Sequence, residues 1–258
     1  NRRLRLCTRI RARAHKRAMQ FASPGCFEYQ LEAEIHHEFA MAGARSPAYS
    51  TIVGSGDNAC ILHYTQNNGQ INDGDLILID AGAEYQGYAA DITRTFPANG
   101  KFTHAQREIY SLVLKAQKSV LDMLAPGVTL SQAMLHSAEI ITQGLVDLGV
   151  LEGSVAENLE NESWRHFYMH GLGHFLGLDV HDVGNYKVEG EDRPLKPGMV
   201  ITIEPGVYIS QDSDAPDKYK GIGVRIEDDV VITATGVEIL TSDVPKEIDE
   251  IEALMAKS

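Results

Sequence analysis

Cysteine is scarce in this chain: the 258 residues hold three, Cys7, Cys26 and Cys60, widely spaced and without a Cys-x-x-Cys pair. That excludes a disulfide framework or a zinc ribbon and makes the reducing cytoplasm the expected setting. No apolar run approaches the ~20 residues needed to cross a bilayer, and no stretch reads as a secretory leader, so no membrane partner is expected. Low-complexity tracts and linkers are missing too, and residues 1–258 read as a single domain. Positive charge is also in deficit. Lys and Arg number 23 against 36 Asp and Glu, a net charge of −13, which argues against a general nucleic-acid binder.

Acidic residues are in turn missing from the start of the chain, where the first is Glu28. Arg2, Arg3, Arg5, Arg9, Arg11, Arg13, Lys16 and Arg17 crowd that segment and leave 15 basic against 36 acidic side chains elsewhere. A nucleic-acid arm or a transit peptide would explain such a run. The favoured reading is plainer: a helix over 1–22 whose basic face packs on the acidic remainder of the chain or on something not in it, with a thin apolar stripe of Leu4, Cys7, Ile10, Ala14 and Ala18. The chain begins with Asn1 and reads as a fragment.

What is present is a pattern that occurs twice. Asp73-Gly74 leads into Leu76-Ile77-Leu78-Ile79, then Asp80 and Gly82; Pro197-Gly198 leads into Met199 to Ile203, then Glu204 and Gly206. Gly74 and Gly198, Asp80 and Glu204, and Gly82 and Gly206 share an offset of 124 residues. The first copy reads as a hairpin turning at Glu84 to Gly87, with Asp91 in its second arm; the second copy has Glu227 in a later strand. Helices precede each copy: Leu31, Ile35 and Phe39 after Pro24-Gly25, and Leu130, Leu135 and Ile140 after Pro126-Gly127. The expected fold is α+β: two pseudo-symmetric helix-helix-hairpin halves, about 1–100 and 101–245, around a curved, mostly antiparallel sheet.

Between the halves Thr103 and Gln106 form a capping box, opening a helix with a buried stripe of Ile109, Leu112, Val113, Ala116, Val120 and Leu124. Tyr49 to Val53 and Ile61 to Tyr64 read as short strands, and 158–165 as an exposed connection. His36 and His37 lie off the apolar stripe of their helix and are expected to be solvated.

His170, His174 and His181 fall in twelve residues, and the intervening glycines let backbone approach closely, as in the wall of a site. The Gly-Leu-Gly between His170 and His174 disfavours a helical zinc pair. Asp80, Asp91, His174, Glu204 and Glu227 then make a hard, oxygen-rich set of charge near −4. Two divalent ions balance it, and such sites hold metals ~3.5–4 Å apart. Mn²⁺ suits these ligands best, with Co²⁺, Zn²⁺ or Fe²⁺ as alternatives, and the chemistry expected is metal-assisted hydrolysis.

These stretches, with Ile61-Leu62-His63-Tyr64, Asp91-Ile92-Thr93-Arg94, Glu204-Pro205-Gly206 and Gly223 to Asp228, resemble the metallopeptidases of the pita-bread fold, and among them the bacterial aminopeptidase P group. The similarity runs from about Phe27 to Met255. It implies that Asp80 and Asp91 hold one metal, His174 and Glu204 the other, and that Asp91 and Glu227 bridge them. It also implies substrate roles for His63, His170 and His181, a network through Tyr208 and Arg225, and proton transfer by Glu204. The implied activity is removal of the N-terminal residue from peptides with proline second, by attack of a metal-bridging hydroxide. A prolidase of the same fold is the alternative, and a non-enzymatic binding protein a third reading. Full-length members carry an N-terminal domain without a counterpart here. Oligomeric state is left open, a homo-oligomer included.

Overall fold

A computed structural model describes residues 2–256, with side chains from residue 12 onward. In chain order the elements are α1 (Arg2–Phe21), α2 (Glu28–Met41), β1 (Ser46–Pro47), β2 (Ile52–Ser55), β3 (Leu76–Asp80), β4 (Ala83–Glu84), β5 (Thr93–Pro97), α3 (His104–Met123), α4 (Leu130–Asp147) and α5 (Val155–Glu160). Then follow β6 (Lys187–Val188), β7 (Glu191–Asp192), β8 (Val200–Ile203), β9 (Gly206–Ile209), β10 (Ile222–Arg225), β11 (Asp228–Ile232), β12 (Val237–Ile239) and α6 (Ile248–Met255).

The repeated sequence pattern becomes a repeated strand arrangement. β3 lies between β2 and β5, antiparallel to both, with Asp80 opposite Ile52 on one side and Thr93 on the other. β8 pairs antiparallel with β11, Ile203 opposite Asp228. Its other edge takes an extended stretch around His174: the Thr202 amide donates to His174 O (2.9 Å) and the Glu204 amide to Leu172 O (2.8 Å). Each half thus places the strand that leads into an acid between two antiparallel neighbours. The halves meet where the Glu227 amide donates to Thr93 O (3.1 Å) and the Arg225 amide to Thr95 Oγ1 (3.2 Å). Leu76, Ile77, Leu78 and Ile79 are all buried, because both faces of β3 are covered; such strands read as continuous apolar runs.

Helices close the core as their periodicity demands. All six residues of the expected α3 stripe are buried, and Thr103 caps the helix, its hydroxyl accepting from the Gln106 amide at 3.3 Å. On α1, Arg17 pairs with Glu34 and Glu38, and Arg13 with Glu38 (3.1 Å). Among the described side chains, Arg13 and Arg17 of the basic face therefore meet acidic residues of α2. Ala14 and Ala18 are buried; Leu4, Cys7 and Ile10 lie outside the described side chains.

Several local expectations need correction. Ile61 to Tyr64 is no strand: it follows a 3₁₀ turn (Gly56–Cys60) and makes local turn hydrogen bonds, Ile61 N to Asn58 O and Tyr64 N to Ile61 O. The Tyr49 strand begins only at Ile52, since Tyr49 turns into the acidic cluster. Residues 158–165 hold the end of α5 and most of a 3₁₀ turn, with Asn158 and Trp164 buried, because Trp164 joins the main core. On α4 the buried face is Ala133, Ser137, Ala138, Ile141 and Leu145, and Leu135 is 62 % exposed; a spacing of five drifts around a helix. His37 is exposed, but His36 bonds Thr51 Oγ1 at 2.8 Å.

Candidate metal centre

Asp80 terminates β3, and Asp91 sits two residues before β5 begins, in the connecting loop and not in the strand itself. Gly82 allows this: a Cβ there would collide with Ala90 O. Gly173 plays the same part behind His174, where a Cβ would strike Thr202 O. With no side chain in the way, the segments carrying Asp91 and His174 lie directly against their neighbours. Of the five expected metal ligands, Asp91, His174 and Glu227 offer donor atoms close to one another, and Asp80 and Glu204 line the same cavity as Asp91 and His174.

His174 Nε2 lies 3.3 Å from Asp91 Oδ2 and 3.5 Å from Glu204 Oε1. Its other nitrogen, Nδ1, is 3.0 Å from Phe175 O; donation to that carbonyl would leave Nε2, which faces the acids, as the nitrogen able to bind an ion. One donor atom each from Asp91, His174 and Glu227 lie within 4.8 Å of one another. Glu227 accepts from Thr93 Oγ1 at 2.7 Å through Oε2, while its Oε1 is buried without a hydrogen-bond partner. Buried carboxylate oxygens are not left bare without cost. A divalent ion is what that oxygen and the facing donors fit.

Electrostatics point the same way. Burial, reinforced by the charge of Asp91, raises Asp80 to about 6 in spite of Arg225. Burial lifts Glu204 to about 8, with His174 opposing, and pushes Glu227 well above its ordinary range, with Asp91 adding to the effect. Asp91 goes the other way: burial, the largest single effect, would raise it, but the hydrogen bond and charge of His174 together with hydrogen bonds to Tyr49 and Asp80 bring it below its ordinary value. His174 is held up to about 9 by Asp91 and Glu204 against the effect of burial. Around neutrality, then, protons occupy the cluster where cations would otherwise sit. Metal binding must displace them. Titration calorimetry in two buffers of different ionisation enthalpy should show release of more than one proton per chain near pH 7, and affinity rising with pH; binding without proton release would contradict this account.

Around this core, Arg225 donates to Asp80 Oδ2 (2.7 Å), Tyr208 OH (2.9 Å) and Thr93 Oγ1 (3.1 Å). Tyr208 OH is 2.7 Å from His170 Nε2, and His170 Nδ1 is 2.7 Å from Gly171 O. Both ring nitrogens of His170 are thus engaged, and burial with the charge of Arg225 lowers it to about 3. His63 and His181 are exposed at the mouth, the His181 ring edge-on to His174 with centroids 4.3 Å apart.

Two adjoining cavities meet over Asp80, Asp91, His63 and His181: one of about 80 Å³ reaching Glu204 and Arg225, another of about 210 Å³ walled by Ile52 and Val180. A larger, open depression of about 610 Å³ lies between α3 and the start of α6, without such convergence.

Three hydroxyls escaped the sequence reading. Tyr49 OH donates toward both Asp80 Oδ1 and Asp91 Oδ1 at 2.5 Å, and Thr93 and Thr202 support Glu227 and Glu204 (2.7 and 3.1 Å). Thr93 adjoins an acid motif and Thr202 lies two residues before an acid, so both could have been found. Tyr49 precedes Asp80 by 31 residues, and nothing in the pattern marks it.

Residues 2–234 match Metallopeptidase family M24. The chain is 58% identical over 254 residues to the Xaa-Pro aminopeptidase of Escherichia coli K12, covering 98% of this chain and 57% of that protein. It is 39% identical over 287 residues to human Xaa-Pro dipeptidase, covering 98% and 58%. Zn-substituted E. coli aminopeptidase P in complex with product superposes with a TM-score of 0.97 at 56% identity, covering 99% of this chain and 58% of that one. The chain therefore spans somewhat over half the length of these relatives. With its fold, its acidic cluster and these likenesses in agreement, the chain belongs to metallopeptidase family M24.

Proposed function

We propose that this chain is a catalytic domain of two pseudo-repeats, about 1–100 and 101–245, that acts as a dinuclear-metal aminopeptidase. It releases the first residue from peptides with proline second. The observation that carries the reading is the convergence of Asp80, Asp91, His174, Glu204 and Glu227, with Glu227 Oε1 buried and unpartnered. Asp80 and Asp91 would hold one ion and His174 and Glu204 the other, with Asp91 and Glu227 shared. Manganese is our first choice, given the oxygen-rich donors; the zinc-substituted relative speaks for tolerance of other ions. Free thiols at Cys26 and Cys60 fit a reducing, cytoplasmic setting.

When bound, the ions supply Lewis acidity and an activated water. The protein supplies the rest. Glu204 Oε1 accepts from Thr202, which leaves Oε2, 4.0 Å from His170 Nδ1, to carry a proton. From there the proton passes to the proline nitrogen, which lacks an N–H and must be protonated to leave. His63 and His181 can donate to a developing oxyanion or a substrate carbonyl. His170 holds Tyr208, which with Arg225 keeps Asp80 in place.

The prolidase alternative needs a cation for the carboxylate that follows proline. Arg225 is the one permanent cation lining the two cavities among the described residues, and its donors are committed to Asp80, Tyr208 and Thr93. The identity of 58% to an aminopeptidase against 39% to a dipeptidase agrees. Hydrolysis of Xaa-Pro-Xaa, Xaa-Ala-Xaa and Xaa-Pro with and without Mn²⁺ tests this. Xaa-Pro-Xaa should be cleaved at least about tenfold faster than either, and only with metal. Faster dipeptide cleavage would make the enzyme a prolidase. His174→Ala should lose metal, whereas His63→Ala and His181→Ala should keep it and lose turnover.

A further inference from the structure

Glu28, the first residue of α2, is wholly buried, and no Lys, Arg or His pairs with it among the described residues. A carboxylate so placed must be satisfied by hydrogen bonds, and it is. Oε1 accepts from Ser55 N (2.8 Å) and Asn58 Nδ2 (2.9 Å). Oε2 accepts from Tyr64 OH (2.8 Å) and Gly69 N (2.7 Å). The four donors span one stretch of chain, residues 55–69, whose only regular element after β2 is the 3₁₀ turn Gly56–Cys60. A Cβ at Gly69 would sit 2.9 Å from Glu28 Oε2, so glycine is what lets the far end of the stretch close on the carboxylate.

His63 rides on this stretch. Its ring is exposed and makes no hydrogen bond or ion pair among the described residues, so its place is set by the backbone beside it. The adjoining Tyr64 is buried, clustered with Ile52, Leu78 and Tyr208, and its hydroxyl ends on Glu28. From this geometry we infer that Glu28 is a positioning residue. Through Tyr64 and the 55–69 backbone it holds His63 over the metal centre. The inference rests on the substrate role proposed for His63.

Glutamine at position 28 would keep the size of the side chain but only one accepting oxygen. Whichever side its amide nitrogen took, a backbone N–H, that of Ser55 or Gly69, would lose its acceptor, and the stretch would shift. Displacements of about 1 Å at a catalytic group cost up to about a hundredfold in rate. Glu28→Gln should therefore lower kcat on an Xaa-Pro-Xaa peptide by about ten- to a hundredfold, with metal content per chain unchanged. In the His63→Ala background the same change should cost less than about twofold, because coupled residues do not add. Multiplying losses in the double variant, or a fall in metal content with Glu28→Gln, would overturn the inference. If Glu28→Gln does not fold, Tyr64→Phe, which deletes one donor and leaves the carboxylate, takes its place in the cycle, with a loss of a few-fold that must vanish beside His63→Ala. A fully active His63→Ala removes the role on which the inference rests, and the inference with it.

Discussion

Glu227→Gln is expected to fold, to bind less metal than the parent, and to lose about a thousandfold or more of its peptidase activity; residues that act as one catalytic unit lose nearly everything together. Glu227 is the acid whose free oxygen faces Asp91 and His174, and glutamine keeps its shape and its bond from Thr93 while removing the charge. The metal-free proteins should show the reverse ordering. Burial, with the charge of Asp91, raises the folded pKa of Glu227, so its stabilising contribution is complete below the unfolded value near 4 and is lost as pH rises toward the folded value. Metal-free Glu227→Gln should accordingly unfold at a higher temperature than metal-free parent at pH 8, with the difference shrinking toward pH 5. Calorimetry of both proteins after chelation, beside metal analysis and peptide hydrolysis, checks each part. Full activity in the variant, or a metal-free stability below that of the parent at pH 8, would refute the assignment.

Arg94→Met should cost about 3–5 kcal/mol of stability, the usual range for breaking a buried pair by removing one partner. Arg94 and Asp228 are fully buried and joined at 2.7 Å. Asp228 is also held by Thr241 and Lys246, each at 2.6 Å. Arg94 further donates to the carbonyls of Thr93, Glu227, Val244 and Pro245, so it ties β5 to the segments beside the metal centre and to the chain leading into α6. Although burial alone would raise Asp228, Arg94 and Lys246 hold it far below the ordinary carboxylate range. Its stabilising contribution is thus complete above about pH 4 and is lost as the pH falls. Denaturant titrations should show the parent weakening more steeply than Arg94→Met between about pH 5 and pH 2. An unchanged midpoint at pH 7 would mean that this pair contributes nothing net.

Much of the fold was legible because its signals are local or repeated. The offset of 124 residues that relates Asp80 to Glu204 anticipated β3 and β8 in matching places, and the α3 stripe and its capping box follow from helical periodicity alone. Ile61 to Tyr64 misled because a short run with the β-favouring Ile61 and Tyr64 at its ends looks like a strand whether or not a neighbour is available to pair with it. Among the described residues none is, and side chains take over that task, Tyr64 and Asn58 ending on Glu28. On α4 the large apolar side chains that mark the helix recur every five residues, a spacing that does not hold one face, and the small residues Ala133, Ser137 and Ala138 lie on the buried side.

The amino-acid sequence by itself named the candidate metal ligands: carboxylates and histidines set beside glycines at repeated positions keep their chemistry wherever the chain takes them. Only the tertiary structure decided which groups serve them. Tyr49 reaches Asp80 and Asp91, Arg225 is committed to Asp80, His170 to Tyr208, and Glu28 to a stretch of loop up to 41 residues further on. A hydrogen bond depends on distance and direction in space, and neither is written in the order of residues along a chain until the strands that separate the partners have packed.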